Sequence, residues 1–168
     1  MTGLSLFRAM AIACLVPTFG ASAAELPDAI AAKNETEVLQ AHGVGSQIYE
    51  CVAGQPDSQL TWQFREPIAA LFREGETVGL HYVGPTWEIA ESLLVADEST
   101  SAPAPSGNDI PWLKLKVTTA AEEGPLQGVT TVQRINTVGG VLEGTCDKTG
   151  ELRAASYAAD YVFLKKQP

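Results

Sequence analysis

From Val38 onward the chain is written in short runs of alternating or β-branched residues, each closed by glycine, proline, asparagine or aspartate. The clearest run sets Leu113, Leu115 and Val117 against Lys114, Lys116 and Thr118, a period of two that gives one buried and one wet face. Val78, Leu80 and Tyr82 repeat that logic, with Gly79 and His81 opposite. The pattern predicts strands over 38–41, 47–51, 60–65, 69–72, 78–82, 92–96, 113–119, 129–136 and 157–164. Turn signals fall between them at 54–57, 74–76, 124–125, 139–140 and 147–150. No amphipathic helix interrupts the series. The expected fold is all-β, a single antiparallel β-sandwich or barrel-like domain. Its one low-complexity segment, 97–109, reads as a long surface loop.

The N-terminal stretch follows a different rule. Arg8 precedes an apolar run from Ala9 to Val16, then Pro17 and the small residues Gly20-Ala21-Ser22-Ala23-Ala24. A short basic region, an apolar run too brief to span a bilayer and an A-x-A-like site predict a signal peptide over 1–24. Residues 25–37 read as a polar arm with weak structure, and 38–168 as one β-rich domain. The expected address is secreted or periplasmic, with no membrane insertion after signal cleavage.

Composition narrows the partners. Removing the first 24 of 168 residues leaves 144, enough for one domain with a real core. Arg8 is the leader's one charged residue, so the remainder carries 10 basic against 20 acidic groups, a formal charge of −10. Such a surface repels phosphate backbones, and no nucleic-acid partner is expected. Cys14 leaves with the leader. Cys51 and Cys146 form an even pair 95 positions apart, which in an exported chain favours one disulfide. Two free thiols or half a metal site fit less well, because only His42 and His81 exist and no C-x-x-C spacing occurs.

Three clusters carry the candidate chemistry. His81-Tyr82-Val83-Gly84-Pro85-Thr86-Trp87-Glu88 gathers an imidazole, a phenol, an indole and a carboxylate around a turn. Gln133-Arg134-Ile135-Asn136-Thr137-Val138-Gly139-Gly140 runs a strand into a glycine turn, where Arg134 can offer a bidentate fork to Glu88 or to a ligand. Ile110-Pro111-Trp112 stands at the mouth of the long loop. Each also has a plain structural reading: tryptophans beside prolines pin loops to cores, and an Arg–Glu pair often just closes a barrel end. Catalytic templates fail, with no G-x-S-x-G elbow, no H-E-x-x-H and no P-loop. Gly43-Val44-Gly45 is a dinucleotide-like scrap without its third glycine or a βαβ setting. No cofactor and no metal site are expected, and no catalytic residue is assigned.

At these clusters the chain resembles a family of secreted proteins catalogued as domain of unknown function 3455. The resemblance runs from about Leu39 to Phe163. It is carried by Gln47-Ile48-Tyr49-Glu50-Cys51, Trp62, Phe64, His81-Tyr82, Gly84 to Glu88, Ile110 to Leu113, Gln133 to Gly140, Cys146, Tyr157 and Ala159 to Phe163. Thr145 and Leu164 depart from it, standing where a glycine and an aromatic are usual. The resemblance implies a secreted β-rich domain with a Cys51–Cys146 bridge. It also implies that His81, Trp87, Glu88, Arg134 and Asn136 belong to one shared feature. The malate dehydrogenase label that some members carry finds no nucleotide-binding fingerprint or α/β pattern here.

The leading functional expectation is a binding module for a sugar or another small ligand. Tyr82, Trp87 and Trp112 would line the site, and His81, Glu88, Arg134 and Asn136 would supply directional contacts. One alternative is a secreted hydrolase with Glu88 or His81 as general base. Another is a non-catalytic envelope interaction or structural protein.

Overall fold

Eight antiparallel strands close into an up-and-down barrel in the computed structural model, which describes residues 26–54 and 59–167. The leader expected over 1–24 lies outside the described residues. A single 3₁₀ turn, Asp28–Ile30, precedes the strands β1 (Glu35–Ala53), β2 (Leu60–Arg73), β3 (Glu76–Tyr82) and β4 (Thr86–Ile89). The second half comprises β5 (Ser92–Ala102), β6 (Trp112–Thr119), β7 (Thr131–Gly139) and β8 (Leu152–Lys166). Each strand pairs with its successor, and β8 returns to β1 in a ladder from Glu35↔Lys166 to Glu50↔Leu152. A barrel of this strand number leaves an interior that side chains fill or that holds one small ligand.

Two expected strand pairs are each one strand. Gly43, Gly45 and Pro67 read locally as breakers, yet all three lie inside β1 and β2. The glycines are there for space. A Cβ on Gly43 would lie 2.6 Å from the Tyr161 ring, so the missing side chain admits that ring to the barrel interior. Pro67 faces Gln47 just before a bulge at Arg65 that shifts the register between Ile48 and Tyr49. β4 was not foreseen, because its four residues follow the Gly84-Pro85 turn too closely to show alternation. The loop expected over 97–109 is half strand, since β5 continues to Ala102 and pairs with β6 as far as Trp112.

The interior balances small side chains on β1 and β2 (Ala41, Ala69) against large ones elsewhere (Trp87, Tyr157, Tyr161, Phe163). Two smaller clusters extend the core. At the far end of the β1–β2 hairpin, Tyr49, Cys51 and Trp62 pack with Leu142 and Cys146, and the Cys51–Cys146 disulfide ties the segment after β7 to the hairpin. On the outside, Ile30, Ala102 and Trp112 pack together beneath the arm that precedes β1. That arm is firmly held. Gln133 Nε2 donates to Ile30 O at 2.6 Å, Thr100 Oγ1 to Ala29 O at 2.7 Å, and Lys114 Nζ to Ala31 O at 3.3 Å. A polar arm can therefore be ordered by three donors reaching its backbone carbonyls, which its own composition does not reveal.

Candidate functional site at the barrel mouth

Strand alternation decides where each expected site residue points. On β4 Trp87 and Ile89 face inward, so Glu88 faces out. There it accepts a hydrogen bond from the Tyr82 hydroxyl at 3.2 Å. On β6 Leu113 faces inward, so Trp112 faces out, into the cluster with Ile30 rather than into a pocket. Asn136 adopts φ 51° within the bulge that separates Ile135 from Val138, and donates Nδ2 to Asp160 Oδ2 at 2.9 Å. The other Asp160 oxygen meets His42 Nδ1 at 2.7 Å. The expected Glu88–Arg134 pairing is not formed: Arg134 gives Nε and Nη2 to Pro111 O at 3.3 and 2.9 Å. Four of the seven candidates thus sit on the outer wall, and the structure does not bring all seven into one concave site.

His81 and Trp87 are buried inside the barrel. Their rings stack at 4.5 Å with planes 12° apart, and Tyr161 packs against both at 4.9 and 5.7 Å. His81 Nδ1 lies 2.9 Å from Thr86 O. A carbonyl only accepts, so the ring proton sits on Nδ1. Burial lowers the His81 pKa to about 4, the Thr86 carbonyl opposes that shift, and the Arg134 charge adds to it. A neutral imidazole so far from the working range is a poor general base at neutral pH. Glu88, the other base named for a hydrolase, faces outward on a convex wall.

One concave feature lies between the β1–β2 hairpin and the start of β6. A cavity of about 270 Å³ is lined there by Gln47, Tyr49, Phe64, Ser101, Ile110, Pro111, Leu113 and Arg134. A glycine turn fixes it. Gly139 and Gly140 take φ 71° and 87°, which glycine adopts without strain. A Cβ on Gly140 would come within 3.2 Å of Tyr157, Ile110 and Gln47 together. The Tyr49 hydroxyl donates to Gly140 O at 2.8 Å, Thr137 Oγ1 to Ile110 O at 2.6 Å, and Gly139 N to Asp109 Oδ1 at 2.6 Å. These contacts staple the 109–111 loop to the end of β7 and hold one wall of the mouth.

Below the mouth, the Tyr157 and Tyr161 hydroxyls share a hydrogen bond of 2.9 Å. Burial raises the pKa of both, while the Arg134 charge pulls each back down, as it also does at Tyr49. The Arg134 field therefore reaches the interior polar groups. Gln47, Tyr49, Phe64 and Leu113 were not foreseen as site residues. Gln47, Tyr49 and Cys51 do share one face by period two, but nothing local joins that face to β6 and β7.

A second depression of about 290 Å³ lies around Lys116, Thr131 and Lys166, and both lysines are exposed to water. Among the described residues, no group of three or more His, Cys, Asp or Glu gathers to hold a metal ion.

A family model described as "Protein of unknown function (DUF3455)" matches residues 31–165. No curated protein and no solved structure matches the chain.

Proposed function

The chain belongs to the DUF3455 family of proteins of unknown function, and for this member we propose an exported binding module that takes a small ligand into the barrel mouth. The observation that carries this reading is the cavity of about 270 Å³, in which Tyr49, Phe64, Ile110, Pro111 and Leu113 stand beside the polar side chains of Gln47, Ser101 and Arg134. An apolar wall with few fixed polar groups is the usual make-up of a small-molecule site. The volume suits a ligand of monosaccharide size or a short acid better than a polymer. Export is supported by the leader pattern in 1–24 and by the Cys51–Cys146 disulfide. No helix of the described residues is long and apolar enough to cross a membrane.

A thermal-shift panel of sugars, small acids and amides tests the reading, using residues 25–168 produced by export so that the disulfide forms. A compound at hundredfold excess over its Kd should raise the Tm by about 5–10 °C. Ser101 is an exposed residue lining the cavity, so Ser101→Trp should fill the mouth, keep the unliganded Tm and abolish that rise. Binding that survives Ser101→Trp, or a panel without a single binder, counts against the mouth.

A further inference from the structure

Resting on the mouth as the binding site, we infer that its ligand is a short extended peptide, which adds as a strand to the free edge of β2 at Phe64 and sets one apolar side chain in the cavity. The inference comes from a notch in the barrel wall. β3 pairs with β2 only from Ala69 to Arg73, and β4 reaches along β5 only to Val95. Beyond those limits β2 and β5 continue without a strand between them. The mouth lies there, with Phe64 on one side and Ser101 on the other.

The backbone of β2 is open at this level. Trp62 N donates to Gly144 O at 3.2 Å, away from β1. Strand geometry repeats every two residues, so the N–H and C=O of Phe64 point the same way. Among the described residues no strand pairs with β2 there, since the bridge to Thr145 stops at Thr61 and β3 begins at Ala69. Pro67 agrees with this. It is buried on the inward face with Ala69 and Leu71, so its missing N–H falls on the open side, where a proline costs no ladder bond.

An unpaired strand edge is a template for an extended chain. Both faces of this edge are apolar, which selects a peptide with adjacent apolar residues. Phe64 shares the inward face of buried Trp62, yet it is 53% exposed because no wall stands opposite. Outward, Ile68 is 55% exposed, and so to 53% is Val83, in the turn 83–85 that closes the lower end of the notch. Successive side chains of an added strand point to opposite faces, so one enters the mouth over Phe64 and the next lies against Ile68 and Val83. The cavity holds that one side chain, and the rest of the peptide lies outside it along β2. A sugar or a lone acid uses neither the backbone groups nor the outer pair. The bulge at Arg65 and the proline keep the ladder short, which suits a brief segment better than a long strand from a second copy.

Calorimetric titration with the capped pentapeptide acetyl-TVLVT-amide tests this, against N-acetylleucine amide and two backbone-methylated forms. One form is N-methylated at both valines, the other at the leucine, so each blocks one edge of the peptide and keeps every side chain. The pentapeptide should bind at least about tenfold tighter than N-acetylleucine amide. One methylated form should lose about tenfold, and the other should bind as the parent does, because only one edge pairs. Ile68→Asp, at an exposed position, should weaken the pentapeptide and leave N-acetylleucine amide unchanged. Unliganded melting establishes that this variant folds. If N-acetylleucine amide binds as tightly as the pentapeptide, or the two methylated forms behave alike, the strand assignment falls while the mouth stands. It falls in the same way if the pentapeptide does not bind but a compound of the small-molecule panel does. If the pentapeptide binds Ser101→Trp as it binds the parent, the mouth falls with it. A chain that dimerises alone by light scattering, and loses the dimer in Ile68→Asp, would give the edge to a second copy and overturn the assignment.

Discussion

His81 lies face to face with Trp87 inside the barrel, ring centroids 4.5 Å apart. The pair helps fix the protonation state of the imidazole, because the ring is buried and its single N–H donates to the Thr86 carbonyl. The folded pKa, about 4, lies below the ordinary 6.5, so the unfolded chain binds the proton more readily. The His81 contribution to stability is complete well above pH 6.5 and is lost as the pH falls through the window to 4. The loss by pH 4 is about 3 kcal/mol. Urea midpoints of the parent and His81→Phe at pH 7 and pH 4 check this. The variant should lose less than the parent by roughly that amount, whereas equal losses would remove His81 from the acid response.

The disulfide closes a loop of 95 residues and joins the β1–β2 hairpin to the segment that follows β7. Peptide mapping without reduction should recover the Cys51–Cys146 cross-link. Cys51→Ser with Cys146→Ser should cost up to about 4.7 kcal/mol, and less if the unfolded chain keeps residual structure. Because the bridge also anchors one side of the mouth, the double variant should bind ligand more weakly even at temperatures where it remains folded.

Gly43→Ala tests the packing that lets β1 run unbroken. The added methyl meets the Tyr161 ring at 2.6 Å, and the opposite wall also leaves Tyr161 little room, since Trp87 packs against it there. Overpacking of this kind costs about 1–3 kcal/mol. Denaturant midpoints give the measurement, and an unchanged midpoint would mean that the ring has space to shift.

Much of the architecture was visible in period-two patterning. Leu113, Leu115 and Val117 face the interior as their alternation with lysines and threonine indicates, although Val117 is only half-buried. Patterning failed on β3, where His81 is buried inside and Leu80, expected on the buried face, is exposed, and again where a residue's local meaning was overridden by a distant neighbour. Gly43 reads as a breaker until Tyr161, 118 positions later, occupies its space. The site was less legible for the same reason. Alternation already implied that Trp87 and Glu88 point opposite ways, but the short β4 gave no sign that they lay on a strand. Arg134 alone of the seven candidates lines the mouth. The wall it shares with Gln47 and Leu113 exists because β8 closes on β1, a long-range pairing that no local pattern announces.

Trp112 separates a structural role from a binding one. Its side chain is buried outside the barrel against Ile30 and Ala102. Trp112→Ala should cost about 3–5 kcal/mol by loosening the arm. Ligand affinity at the mouth, measured well below the lowered Tm, should stay within twofold of the parent. A tenfold loss of affinity in folded Trp112→Ala would place this residue in the site after all.

The most direct test of a ligand-binding mouth is a heteronuclear NMR titration with the tightest compound from the panel. The account predicts that shifts gather at the backbone amides of Gln47, Tyr49, Ile110 and Leu113 and at Arg134 Nε, with the outer wall around Tyr82 and Glu88 unmoved. Shifts centred on that outer wall, or on Lys116 and Lys166, would contradict it.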